Sequence, residues 1–187
     1  MIYLQLIVGS EEVPGDGSIL GYEGQIEIES FGWKVEAKHI QKGGEEYTTA
    51  VHPKSIQFVK LVDTATPNLC KHMEAKARFA TATVTMLTTG WAGQGSSHQR
   101  LVQLVLSRGY IEEVHITASE SGKVVALKEN LTLSYEKSEI RYFPFDAARR
   151  ARTNVITRFE LDPDKMNTDK KKDASVSLVK DKNWESK

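Results

Sequence analysis

Cysteine is nearly missing. Cys70 stands alone in 187 residues, so no internal disulfide can form and no CxxC pair exists to hold a metal. Folding in a reducing cytosol is the simplest reading. A charge surplus is missing as well: Lys plus Arg number 25 and Asp plus Glu 25, for a formal net charge of zero. Nucleic-acid and anionic-membrane binders both need an excess of cations, so neither partner is expected. Long apolar runs are also missing. No stretch approaches the ~20 residues of a membrane helix, so no membrane insertion is expected. The apolar start, MIYLQLIVG, has neither the basic flank nor the small-residue cleavage site of a secretory signal. If the protein leaves the cell, it is expected to do so without a signal peptide.

Signatures of catalysis are scarce too. His39, His52, His72, His98 and His115 form no HxH or HExxH pattern, and no Cys stands at ligand spacing, so no metal or cofactor is expected. No GxSxG elbow presents a serine, and Cys70 lacks the local signature of a nucleophile, which leaves it as a small packed thiol. GWAGQG (90–95) lacks the Lys-Ser/Thr of a phosphate loop and leads into a strand, so it reads as a hairpin turn. Glu45 and Glu46 read as a solvated turn, and ARRAR (148–152) as a linker. The expected class is not an enzyme.

What is present is β-structure. With 40% hydrophobic and 27% charged residues, the composition suits one well-cored globular domain. Residues 2–8 alternate weakly and read as a first strand, and 9–18 as a turn-rich loop. Residues 21–40, GYEGQIEIESFGWKVEAKHI, read as a strand that changes phase: Ile26 and Ile28 are even, whereas Phe31, Trp33 and Val35 are odd. Side chains alternate faces with period 2, so a bulge or bend near residues 30–32 is required. Residues 41–55 read as a long polar loop, and loops of that length inside a compact domain are usually functional or mobile.

Residues 56–62 form another expected strand. The chain's one helix is expected over 64–79, with Thr66 as N-cap, Pro67 at the first helical position, and Leu69, Met73 and Ala77 on one apolar face. In the strand at 80–89, Ala82, Val84 and Met86 share a side opposite threonines. Two long β segments follow at 101–117 and 127–143, and the second slips phase between Leu131, Leu133, Tyr135 and Ile140, Tyr142. In a last β run, Val155, Thr157, Phe159 and Leu161 are in register. Many strands, one helix and mid-strand phase changes predict a mainly β fold: a small β-barrel of two sheets with one flanking α-helix. The barrel domain is expected over 1–166, and 167–187 reads as a lysine-rich C-terminal tail too short to build a core.

Three motifs in order carry a resemblance. GYEGQIEIESFGWKV (21–35) is similar to the signature strand and turn of the Hcp (haemolysin co-regulated protein) family, with Gly21, Glu23, Gly24 and Trp33 at motif positions. FVKLVDTATPNLCKHMEAKARFATATVTM (58–86) resembles the family's strand, helix opening and strand, with Thr66, Pro67 and Leu69 at the opening. LTLSYEKSEIRYFP (131–144) resembles its late strand. Gln25, Arg158-Phe159 and the extra tail depart from the family pattern.

The resemblance implies a tail-tube-like barrel that forms homo-hexameric rings. Stacked rings would form the hollow inner tube of a type VI secretion system in a Gram-negative bacterium, expelled by a contractile sheath behind a spike protein and carrying effectors. It implies a protein cytoplasmic when assembled and then secreted. An extended loop is expected to pack on a neighbouring subunit or ring, here Lys42, Gly43, Gly44, Glu45, Glu46 and Tyr47. Alternatives are a phage-type tail-tube subunit and a monomeric β-barrel binding module.

Overall fold

Residues 21–40 change phase because the chain there passes from one sheet to another. A computed structural model describes residues 1–42, 46–89, 98–121, 124–144 and 157–161, without the side chains at 37–42, 46–53, 89, 120–121, 124 and 157. Strand β1 (Ile2–Val8) pairs antiparallel with the short β2 (Glu11–Glu12) and with β3 (Ile26–Ile28). Only Glu29 separates β3 from β4 (Ser30–Gly32), which pairs instead with β7 (Ile56–Leu61). The even residues Ile26 and Ile28 are buried from the first sheet, while the odd residues Phe31 and Trp33 pack on the same core from the second. The phase break is the corner.

The remaining strands are β5 (Val35–Lys42), β6 (Glu46–Pro53), β8 (Phe79–Thr89), β9 (His98–Ser121), β10 (Val124–Ser134), β11 (Lys137–Tyr142) and β12 (Thr157–Leu161). Pairing runs β2-β1-β8-β9-β10-β7-β4, with β11 on β9, β12 on β11 and β3 on β1. Hydrogen-bonded pairing does not close into a ring among the described residues. The covalent step through Glu29 completes the circuit instead, and the Glu29 amide donates to the Val59 carbonyl at 2.8 Å. The result is mainly β and antiparallel, with one helix among the described residues.

A second corner lies in the 24-residue β9. Its first half pairs with β8 and β11, and its second half with β10. At the junction Arg108 adopts φ +57°, a left-handed conformation, and a Cβ on Gly109 would lie 1.9 Å from the Ser134 carbonyl oxygen. Only glycine lets β9 fold over β10 this closely. The slip between Tyr135 and Ile140 has the same cause, because β10 belongs to the second sheet and β11 to the first.

Between the sheets lie Leu4, Leu6, Ile56, Phe58, Leu106 and Leu131, each fully buried. In β8 the inward set is Ala82, Val84 and then Leu87, because a register shift between Met86 and Leu87 leaves Met86 half-buried.

Helix α1 (Ala65–Glu74) is ten residues long, close to the three turns expected. Leu69 is fully buried, and Met73 and Ala77 pack partly on the core. Its start differs from the sequence reading. Thr64, not Thr66, is the N-cap residue, and Pro67 is the third helical residue rather than the first. The Asp63 carboxylate accepts the Ala65 amide at 3.0 Å, whereas the Thr66 hydroxyl is committed to buried charges. Pro67 still falls within the first turn, where its missing N–H has no intrahelical partner to lose. The helix ends with Lys76 at φ +49°: the Lys76 amide donates to the Met73 carbonyl and the Ala77 amide to the His72 carbonyl. That is the Schellman pattern, with lysine where glycine is usual.

A candidate assembly arm

The stretch read as a loop at 41–55 is largely strand. β5 and β6 pair over eight positions, from Val35 opposite Pro53 to Lys42 opposite Glu46, and form a sheet of their own. Lys42 closes β5, and Glu46 and Tyr47 open β6, with Tyr47 opposite Gln41. Gly43, Gly44 and Glu45 lie outside the described residues. EYTTAVHP carries β-branched and aromatic residues, and that composition was the available signal for a strand. Its modest apolar content hid the signal, because a hairpin apart from the core needs few inward residues.

The root of this arm is fixed by specific bonds. The Trp33 indole N–H donates to the Tyr135 hydroxyl at 2.7 Å, tying the chain just before β5 to the end of β10. Burial raises the Tyr135 phenol above its ordinary value, and the bonds to Trp33 and Ser138 partly oppose this. Phe31 packs beside Phe58 with ring centroids 6.0 Å apart. At the surface Glu36 pairs with Lys34 and, at 3.4 Å, with Lys54, across the base of the hairpin. The hydrogen bond from Lys34, then that from Lys54, holds the Glu36 carboxyl below the usual range. Ser55 donates to Glu112 at 2.6 Å just beyond the arm.

The other motif residues build the scaffold rather than the arm. Gly21 and Gly24 sit at φ +84° and +73°, a region that disfavours side chains, and the Glu23 carboxylate accepts the Gly21 amide at 2.7 Å. They make the turn that delivers the chain to β3. Thr66, Pro67 and Leu69 belong to α1.

Motif reading missed a buried charge cluster beneath α1. The Lys60 ammonium is fully buried and donates to Asp63 (2.6 Å), the Leu61 carbonyl (2.8 Å), Thr66 (3.2 Å) and Glu129 (3.2 Å). Thr66 in turn donates to Glu129, which is also fully buried. Lys60 and Glu129 are directly opposite in the β7–β10 register. The inward parity of Ile56 and Phe58 would have placed Lys60 inside; its charge argued against it. The cluster pins the start of α1 to the second sheet.

Among the described residues no group of three or more His, Cys, Asp or Glu could hold a metal. Cys70 is free and half-buried on α1. No described helix is long and apolar enough to cross a membrane. The geometry is that of antiparallel strands wrapped around one core, joined to a two-stranded hairpin that forms a sheet of its own.

Residues 3–142 match the family model described as "Type VI secretion system effector, Hcp". Among solved structures, Hcp1 from E. coli EAEC 042 aligns at TM-score 0.64 and 16% identity, covering 84% of this chain and 95% of that one. A type VI secretion system effector from Yersinia pestis aligns at TM-score 0.62 and 14% identity, covering 87% and 99%. Hcp1 from Salmonella typhimurium aligns at 0.61 and 16%, covering 85% and 94%. No curated protein matches in sequence.

Proposed function

This chain belongs to the Hcp family of type VI secretion system effectors and is a type VI secretion tube protein, and we propose that it works by assembling into homo-hexameric rings that stack into a hollow tube. The observation that carries the reading is the family match across 3–142, which takes in the helix, the arm and both sheets apart from β12 and the first residue of β1. In this reading the role is structural and not enzymatic. The tube forms in the cytoplasm inside a contractile sheath, bears a spike protein, and leaves the cell with its effectors. The barrel extends over 1–166, and the lysine-rich tail at 167–187 is peripheral to ring formation.

The contact element is the arm. A two-stranded hairpin is marginal on its own in water, so eight paired residues standing apart from the main sheet favour a second surface to rest on. Lys42, Glu46 and Tyr47 are at the arm's far end, next to Gly43, Gly44 and Glu45, and we assign these six to contacts with a neighbouring subunit. Tyr47 supplies an apolar anchor, and Glu45 and Glu46 pair with a neighbour's cations.

Replacing 43–48 with a short Gly-Ser linker tests this reading. The barrel should keep its circular dichroism spectrum while tube assembly and secretion fall. Wild-type assembly and secretion by this variant would reduce the arm to a solvated flap.

A further inference from the structure

We infer that the outer part of the β9–β10 ribbon is the docking surface for this chain's own C-terminal segment ASVSLV (174–179). The contact lies within one chain and does not depend on ring formation.

Beyond the end of β7, β9 and β10 continue together as a two-stranded ribbon. Register places Val114 opposite Leu131, Ile116 opposite Glu129, and Ala118 opposite Leu127. These positions have the parity of the core, since Leu131 and Glu129 are fully buried. Further out the same face is bare: Ile116 is 46%, Leu127 43% and Val125 62% exposed. The opposite face carries His115, Thr117, Ser119 and Lys128, all exposed. The ribbon is therefore amphipathic, and its apolar side extends the core face into solvent. Two strands alone are marginal in water, so this end of the ribbon gains from a cover on its apolar side.

The path of the chain leads toward it. β12 is antiparallel to β11, and β11 to the first half of β9, so β12 runs in the same direction as β9. Leu161, at the end of β12, is opposite Ser138, which is opposite Leu106. The chain therefore leaves β12 toward the corner at Arg108 and Gly109, where β9 turns into the ribbon. Leu106 and Ile116 are separated by at most roughly 33 Å along β9. Residues 162–176 reach up to roughly 50 Å when extended, enough to cover that path with slack.

The segment also matches in kind. Residues 162–187 are mostly polar and charged, and their aliphatic side chains gather at one place, Ala174, Val176, Leu178 and Val179. Val176 and Leu178 are two positions apart, so an extended chain presents both on one side. The bare face is aliphatic as well, through Ile116, Ala118, Leu127 and Val125. Tethering selects the chain's own segment over a second copy. A segment on a linker of this length is held at an effective concentration on the order of millimolar, well above that of free copies in the micromolar range.

The test uses the full-length chain in a Cys70→Ser background, carrying Val125→Cys, Leu127→Cys or, on the opposite face, Ser119→Cys. Each is labelled with a maleimide at sub-micromolar concentration, with and without Val176→Asp and Leu178→Asp in the same chain. The tail substitutions should speed labelling at 125 and 127 on the order of tenfold or more and leave the rate at 119 unchanged. A second measurement leaves the ribbon intact: binding of an apolar-surface dye to the Cys70→Ser chain should rise when Val176→Asp and Leu178→Asp are introduced. Labelling rates and dye binding that ignore the tail substitutions would overturn the inference, because the ribbon is then bare or covered by something else. Protection at 125 and 127 that appears only as protein concentration rises would also overturn it, in favour of a second copy as the occupant. Rings can form or fail to form under either result, so the assembly reading above is tested separately.

Discussion

Replacing Lys60 with methionine removes a cation of which nothing is exposed. In the intact protein its ammonium donates to Asp63, Thr66, Glu129 and the Leu61 carbonyl, all within 3.2 Å. Methionine fills similar space but supplies no donor, so the fully buried Glu129 carboxylate keeps only the Thr66 hydroxyl. Removing one partner of a buried pair costs about 3–5 kcal/mol, mostly as the penalty for the charge left behind. For a domain of this size, that lowers the melting temperature by on the order of 10 °C. The double variant Lys60→Met/Glu129→Leu removes the stranded charge as well. An apolar pair of matching volume is close to neutral, so the double variant should recover most of the loss. Thermal and urea unfolding of the wild type, both single variants and the double variant complete the cycle. A Lys60→Met cost below about 1 kcal/mol, or additive effects in the double variant, would refute a paired cluster pinning α1.

Gly109→Ala should destabilise by about 1–3 kcal/mol or more, because the new methyl group meets the Ser134 carbonyl and the Phe79 ring; an unchanged urea midpoint would contradict the corner in β9. Lys76→Gly should raise stability by up to about 1 kcal/mol by relieving a left-handed lysine at the helix end, and a fall in melting temperature would mean the lysine makes a contact worth more than that strain. Burial, then the hydrogen bond to Glu27 and its charge, push the Tyr3 phenol from 10.0 up to about 12. The unfolded chain therefore deprotonates first, and this contribution to stability, full below pH 10, is lost as pH rises toward 12. Tyr3→Phe should flatten that alkaline decline, and identical pH profiles for the two proteins would refute the assignment.

The sequence made the fold class legible through phase. Ile26 and Ile28 against Phe31 and Trp33, and Leu131 and Leu133 against Ile140, marked places where the chain changes sheets, because a period of 2 leaves no other way to bury both sets. Helix α1 was legible from Leu69 and Met73. Its cap was not, because Thr66 suits an N-cap by type and is instead used by Lys60 and Glu129, which are distant in sequence.

The arm was legible as an unusual segment but not as a hairpin. Residues 46–53 have little apolar content, and periodicity reports burial in the chain's own core rather than against another surface. The exposed apolar face of the β9–β10 ribbon escaped for the complementary reason. Val114, Ile116 and Ala118 alternate as an ordinary core-facing strand does, and only the register and the end of β7 reveal that no described part of this chain covers the outer part of it.

Sedimentation velocity of the purified full-length chain, over a wide concentration range, tests the tube-subunit account most directly. The account predicts a discrete species of six 20.9 kDa chains at micromolar concentration, with ring-shaped particles in negative stain and longer stacks as concentration rises. A single 20.9 kDa species at every concentration, with no rings on the grid, would contradict it.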